Sequence, residues 1–487
     1  MKVGDKIRMA LRNFLKIEPA QRQAISVEEE LDFRSAAFLN RLWYRGSATE
    51  LNQAYNQLDK STCRFWGAVP THGLEVRKIH TGLPKLIVNT LTNIVTRDLN
   101  EIDFGNVGQD DLWKAIEKEN KLPDLYANAI QDVLVVGDGA AKISFDPEIS
   151  ENPIIEWYPG DRVEFKRERG RLREIIFIDE YTHKGKTYIL RDIRGYGYVK
   201  YELYRDDVPV NLNAIPETEG LEPVEYEAAE PYMLAVPFKI SDSERWKGRG
   251  ASIFDGKLDS FDALDEAWSQ WVHAMRRSRP MTYIPETLIP RDMSSGRVLR
   301  PNAFDNQFIE TGADMSERAA NQIHLEQPDF PADSYNSTYI TALDLALQGL
   351  ISPSTLGIDV KKLDNAEAQR EKEKATLYTR NNIIEAVTGF LKELTRTVFL
   401  AYYTASCKPI AEIDPDVTFG EYASPSFEAV IETLSNPNTP MSIEAKVEEL
   451  WGDTKDDDWK ADEVKRIKEQ SGVVTMEEPF VGQLPDE

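Results

Sequence analysis

The stretch Leu350-Ile-Ser-Pro-Ser-Thr-Leu-Gly-Ile-Asp359, followed after a short basic step by Asn365-Ala-Glu-Ala-Gln-Arg-Glu-Lys-Glu-Lys374, decides the reading of this chain. Pro353 and Gly357 break regular structure and predict a small-residue loop. The charged run that follows predicts a helix. Asp364 and Glu367 sit three apart, the spacing of an N-cap residue and its reciprocal partner. From there Ala366–Ser406 keeps a helical period for 41 residues, roughly 60 Å of helix at 1.5 Å per residue. Its first half is charged nearly all round. Its second half places Ile383, Val387, Phe390, Leu394 and Val398 on one face, and Gly389 allows a bend. Such a helix crosses between two environments.

The region before the loop is helical on both sides of an insert. Ala251–Arg279 carries an apolar stripe of Phe254, Leu258, Phe261, Trp268, Val272 and Met275. Asp255, Asp259, Asp262 and Glu266 form an acidic stripe on another face. That stripe is either a solvated face or the wall of a channel that repels phosphates. Arg276, Arg277 and Arg279 suit the negative end of the helix dipole. Residues 280–334 lose the helical period and hold six prolines, which predicts a small irregular or β-containing insert. Tyr335–Leu350 returns to helix, with Ile340, Leu343, Leu347 and Leu350 on one face.

Nearer the N-terminus, residues 28–58, Leu83–Leu99, Asp110–Lys121 and Leu125–Val136 read as helices. Gly82 and Pro84 open the second, and Pro123 separates the last two. Gly137-Asp-Gly closes this helical part and Ala140–Phe145 resumes as a strand. From Ile154 to Tyr204 the period falls to two, a meander with Gly170, Gly185 and Gly195 at its turns. Residues 205–231 read as a loop and Met233–Phe238 as one more strand. Val417–Phe419 is a last strand, and Ser426–Leu434, Ser442–Trp451 and Asp456–Gln470 are short helices. Met1–Lys16 is a basic amphipathic segment, expected to pack as a peripheral helix. The fold class expected from this order is α+β.

Composition bounds the function. The 487 residues exceed one ordinary core, so several subregions are expected. No apolar run approaches the roughly 18–20 residues of a membrane helix. The formal net charge is −25, the reverse of what tight, extended nucleic-acid binding requires. Two readings survive: no nucleic-acid partner, or a protein that surrounds DNA and lets it slide. Cys63 and Cys407 make neither a disulfide framework nor a zinc site, which fits a reduced, intracellular origin. His72, His80, His183, His273 and His324 share no metal-ligand spacing. Asp414-Pro-Asp416 and Asp456-Asp-Asp458 fail the calcium-loop pattern. Gly137-Asp-Gly-Ala-Ala-Lys142 lacks the Walker spacing and follows a helix, so it reads as a helix C-cap. No catalytic motif, cofactor or metal is expected.

Arg194-Gly-Tyr-Gly-Tyr-Val-Lys-Tyr201 approaches the RNA-recognition-motif strand, whose alternate aromatics stack bases. An RNA-binding module built on Tyr196, Tyr198 and Tyr201 is therefore an alternative. The duller reading is a hairpin with tyrosines on a half-buried face.

The order of parts, with Ser352-Pro-Ser-Thr-Leu-Gly357 in its place before a long helix, resembles the portal proteins (head-tail connectors) of tailed double-stranded DNA bacteriophages, siphovirus type. The resemblance implies a wing over 1–250, a first stem helix over 251–279 and a clip over 280–334. It further implies a second stem helix over 335–350, a tunnel loop over 351–365, a long helix returning to the wing over 366–424, and a crown over 425–487. Tunnel-loop candidates are then Ser352, Pro353, Ser354, Thr355, Leu356, Gly357, Lys361 and Lys362. Lys361 and Lys362 either touch phosphates transiently or are simply solvated. Channel-lining candidates are Asp255, Asp259, Asp262 and Glu266. The resemblance implies a ring of twelve copies at one capsid vertex of the virion, assembled in the host cytoplasm, without catalysis and without a membrane. Its partners would be double-stranded DNA in the channel, the terminase large subunit, a head-completion or adaptor protein, and the major capsid and scaffolding proteins.

Overall fold

The computed structural model describes residues 29–58, 64–69, 76–227, 231–278, 281–285, 294–295, 308–311, 324–326, 329–358, 366–408, 413–420, 442–451 and 457–470. The expectations for Met1–Lys16 and Ser426–Leu434, and for Cys63, His72, Lys361, Lys362 and Asp364, lie outside these residues.

Short-range chemistry sets the first helices. Asp32 accepts from the Ser35 backbone N–H at 2.9 Å and starts α1 (Phe33–Arg45). Gly46, in the left-handed region at φ 74°, ends it. Ser47 then caps α2 (Ala48–Tyr55), so the single helix expected over 28–58 is two. Pro84 lies in the first turn of α3 (Leu83–Asp98). Asn106 caps α4 (Val107–Asn120). Pro123 does not separate α4 from α5 (Leu122–Val136): it sits in the first turn of α5, and Lys121 at φ 51° makes the break.

The apolar stripes of these helices share one core with α8 (Ala366–Ala405). Leu91, Ile116, Ile130, Val133, Leu394 and Phe399 are all at its centre. Phe104 and Phe399 meet edge to face at 4.9 Å between ring centroids. Two sheets flank this core. β1 (Leu99–Asp103) pairs antiparallel with β14 (Asp416–Phe419), which ties residues over 300 positions apart. β2 (Asp138–Ser144) lies between β3 (Ile154–Pro159) and β10 (Ala235–Lys239), antiparallel to both.

Gly137-Asp-Gly ends α5 as its sequence suggests. Gly137 sits at φ 116°, and a Cβ there would come within 2.4 Å of the Gly250 carbonyl oxygen. The reverse contact, a Cβ on Gly250, would lie 2.1 Å from the Gly137 carbonyl. Two chain segments cross at this point without side chains. Arg249 grips the crossing: its Nη2 and Nε donate to the two Asp138 carboxylate oxygens at 2.7 and 2.9 Å, and its Nη1 to the Val163 carbonyl at 2.9 Å.

The meander continues as β4 (Val163–Glu168), β5 (Arg171–His183), β6 (Lys186–Gly195), β7 (Tyr198–Arg205) and β8 (Val208–Val210), hydrogen-bonded in that order. Gly170 and Gly185 stand at turns with φ 81° and 72°. Gly195 does not. It is the last residue of β6, paired with Tyr198, and the turn is Tyr196-Gly197. The presumed loop over 205–231 also contributes β8 and β9 (Val224–Glu225), both paired to β7.

The insert is β-containing. β11 (Met281–Pro285) pairs parallel with β12 (Phe308–Thr311) and antiparallel with β13 (His324–Glu326). On either side of it stand α6 (Leu258–Arg277) and α7 (Ala332–Leu347). Past β14 come α9 (Ile443–Trp451) and α10 (Asp457–Gln470), joined by the Trp451 and Trp459 rings at 5.7 Å. The architecture is mixed helix and sheet, as the α+β expectation has it.

Candidate functional site

The helices α6 and α7 run beside each other in opposite directions, with Trp268 and Trp271 of α6 packed on Tyr339 of α7 at 5.6 and 6.0 Å. At their shared base Lys257 Nζ donates to the carbonyls of Leu345 at 3.2 Å and Gln348 at 2.7 Å. A cation thus satisfies the C-terminal carbonyls of α7 and opposes the negative end of its dipole. Partial burial lowers the Lys257 pKa.

The acidic stripe does not survive as one face. Asp255 precedes the helix: α6 starts at Leu258, and Asp255 accepts from the Ser252 N–H at 3.1 Å within a turn. Burial raises its pKa, partly offset by that bond. Asp262 points inward and is 7% exposed. It accepts the backbone N–H groups of Phe65 at 2.8 Å and Trp66 at 3.2 Å. Burial pushes its carboxyl up, and the two N–H bonds oppose this. Only Asp259 and Glu266 remain exposed. Asp259 makes a 3.3 Å surface pair with Arg64. The cause is angular: three residues on from Asp259, Asp262 stands about 60° round the helix, toward the Phe261 side.

Behind Asp262 lies a network absent from the sequence reading. Asp265 is fully buried. Its carboxylate accepts from the Thr81 N–H and hydroxyl, both at 2.8 Å, and from Trp66 Nε1 at 3.2 Å, and lies 2.6 Å from His80 Nδ1. One turn further, Ser269 Oγ accepts from the Ile79 N–H at 2.9 Å. Asp262, Asp265 and Ser269, spaced three and four apart, thus hold two distant loops by their backbone donors. The spacing itself was the available signal; the partners lie more than 180 positions away.

After α7 the chain enters the Ser352–Gly357 loop. The Ser352 N–H donates to Thr376 Oγ1 at 2.8 Å, and Thr355 Oγ1 approaches the same hydroxyl at 3.3 Å. Ser352 and Ser354 join through their hydroxyls at 2.7 Å. The N–H groups of Leu356 and Ile358 both return to the Pro353 carbonyl, at 3.1 and 2.9 Å. Ile351 and Ser352 are buried, and of Ser352, Pro353, Ser354, Thr355, Leu356 and Gly357 only Gly357 is exposed. The described part of the expected loop, residues 351–358, is a folded turn pinned to the long helix. One turn beyond the fully buried Thr376, Arg380 donates twice to Asp98, at 2.9 and 2.6 Å, and to the Gly420 carbonyl at 2.7 Å. The helix α8 is therefore fastened to α7's exit, to α3 and to β14 within two turns.

The RNA alternative fails on geometry. Arg194–Tyr201 is not one strand but a hairpin end, with Gly195 paired to Tyr198. Arg194 is buried, with Nε and Nη2 on Asp192 at 2.6 and 2.7 Å. Tyr198 donates to Glu174 at 2.6 Å, and burial, then that bond, push its phenol up to about 12. Tyr201 packs against the Leu190 and Leu203 cluster. Of the three tyrosines only Tyr196 is exposed, so these three do not form a stacking platform.

Among the described residues no group of His, Cys, Asp and Glu is arranged to hold a metal ion, and no helix is long and apolar enough to cross a membrane. No family model and no curated protein matches the chain. Solved structures that resemble it include chains of gene transfer agent particles. A chain from the virion of the native particle is 13% identical, over 93% of this chain and 98% of its own, at a TM-score of 0.37. A chain from the neck of the native particle, computed with C12 symmetry, is 12% identical over 75% and 89% at 0.35. One from the neck of the empty particle, computed with C6 symmetry, is 14% identical over 75% and 87% at 0.32. Likenesses this loose fix neither fold nor function.

Proposed function

We propose that this chain is a portal protein, a non-catalytic subunit of a twelve-membered ring that conducts double-stranded DNA. The observation that carries the reading is the assembly at the base of α6 and α7. Two antiparallel helices flank a small β insert, and the chain leaves them through a folded turn pinned to a 40-residue helix. In this reading α6 and α7 are the stem, the insert is the clip, Ser352–Gly357 with Lys361 and Lys362 is the tunnel loop, and residues 425–487 form the crown. The wall is lined by Asp259 and Glu266; Asp255 and Asp262 have structural duties instead. Copies arranged with these carboxylates toward the axis would repel phosphates, so the duplex would slide without being held. The net charge of −25 fits such a wall. Terminase would dock at the insert, the head-completion protein would arrive after packaging, and the first 250 residues would face the capsid and scaffold, placing the protein in the virion.

The experiment is charge reversal of Asp259 and Glu266 to Lys in a packaging system. Rings should form and DNA filling should collapse. Normal filling by the variant would overturn the assignment of these side chains to the channel.

A further inference from the structure

The charge of the six-stranded sheet is segregated. At the tip of the β4–β5 hairpin, residues 166–173 hold Lys166, Arg167, Arg169, Arg171 and Arg173 against one acid, Glu168. All five cations are exposed. Arg169 and Gly170 make the turn with φ 49° and 81°. Lys166 pairs with Glu174 at 2.9 Å and Arg173 with Glu168 at 3.3 Å. Among the described residues Arg169 and Arg171 have no ion-pair partner. The tip also projects: β6 ends opposite Glu174, so Arg171–Arg173 run past it.

The far side of the same sheet is the reverse. From Asp206 to Glu227 there is no Lys, Arg or His. Asp206-Asp207 turns β7 into β8, and Glu217, Glu219, Glu222, Glu225 and Glu227 follow. All seven are exposed. The order β4-β5-β6-β7-β8, with β9 also on β7, puts this rim four strand steps from β4, about 19 Å.

A closed ring joins one side of each subunit to the opposite side of the next. It therefore calls for complementary, unlike surfaces on one rigid body. Duplex DNA would also attract the hairpin, but it is repelled by the chain as a whole, whereas the acidic rim is a matched target on every copy. We infer that the β4–β5 hairpin of one copy docks on the Asp206–Glu227 rim of the next. This rests on the ring reading above and names a contact that closes the ring.

Two variants test it: Arg169→Glu/Arg171→Glu/Arg173→Glu on the hairpin, and Glu217→Lys/Glu219→Lys/Glu222→Lys on the rim. Sedimentation velocity should show each variant alone assembling at least tenfold more weakly than the unaltered chain, with unchanged circular dichroism. The equimolar mixture should assemble again, because each variant then offers its partner one matched interface. The milder Arg169→Gln/Arg171→Gln should weaken assembly in the same direction by less. A hairpin variant that assembles normally would overturn the pairing while leaving the ring reading intact. A mixture that stays apart would overturn it too, as would a hairpin variant that keeps its assembly but loses binding to a short DNA duplex. An unaltered chain that never assembles would overturn the ring reading and this contact with it.

Discussion

The inward and outward sides of α6 carry the same chemistry and use it oppositely. Asp262 and Asp265 face in and are hydrogen-bonded to the loops at 64–66 and 79–81. Asp259 and Glu266 face out into solvent. A carboxylate buried among N–H donors is a structural part whose loss strands those donors. A carboxylate on the open face adds almost nothing to stability and is available for function. The difference teaches that acidic character along a helix does not locate a functional face; the partners do.

Removing inward groups should hurt most. Asp265→Ala leaves His80, Thr81 and Trp66 without their acceptor and should cost about 3–5 kcal/mol in urea unfolding. A loss under about 1 kcal/mol would mean that the network is incidental. Asp262→Ala strands two backbone N–H groups and should cost about 2–3 kcal/mol. Its titration has a definite sign. Burial raises the folded-state pKa above the unfolded one. Within that window the folded chain holds a proton that the unfolded chain has released. The contribution to stability is therefore present below the unfolded pKa and is lost as pH rises through the folded pKa. Asp262→Asn should flatten the pH profile of stability just above the ordinary carboxylate range; an unchanged slope would place the titration elsewhere.

Further along the chain Thr376→Val removes the acceptor of the buried Ser352 N–H and should cost about 1–2 kcal/mol. Hydrogen exchange at Ser352 should accelerate while that at Ile383 stays slow. Gly389 has room for a side chain: apart from its chain neighbours and its own helix backbone, no atom lies within 4 Å of an added Cβ. Gly389→Ala should stabilise α8 by about 0.5–1 kcal/mol, read as a rise in melting temperature. A fall would show that the helix needs to bend there. Smallest is the outward pair: Asp259→Lys/Glu266→Lys should move stability by no more than about 0.5 kcal/mol, despite its expected effect on DNA filling.

Much of this architecture was legible. The helices read over Leu83–Leu99, Asp110–Lys121 and Ala366–Ser406 stand within a few residues of α3, α4 and α8, and the meander shows itself by its period of two and by Gly170 and Gly185 at its turns. The insert between α6 and α7 was legible from its prolines. What escaped around the stem base has one physical cause, long-range pairing. Nothing near Asp262 states that Phe65 and Trp66 will seek it, nor does the Ser-Pro loop announce that Thr376 will hold it still. Gly195 was misplaced because its missing side chain serves the Tyr198 ring, which would meet an added Cβ at 2.2 Å, and not a turn.

The central claim is that copies of this chain surround a hole lined by the outward side of α6. An electron cryomicroscopy map of the purified protein tests it most directly. A closed ring of about 0.66 MDa, twelve copies of the 55.4 kDa chain, with Asp259 and Glu266 on an open axis wide enough for duplex DNA, is the expected result. A particle without an axial opening, or one in which α6 and α7 are covered by other chains on every side, would contradict it.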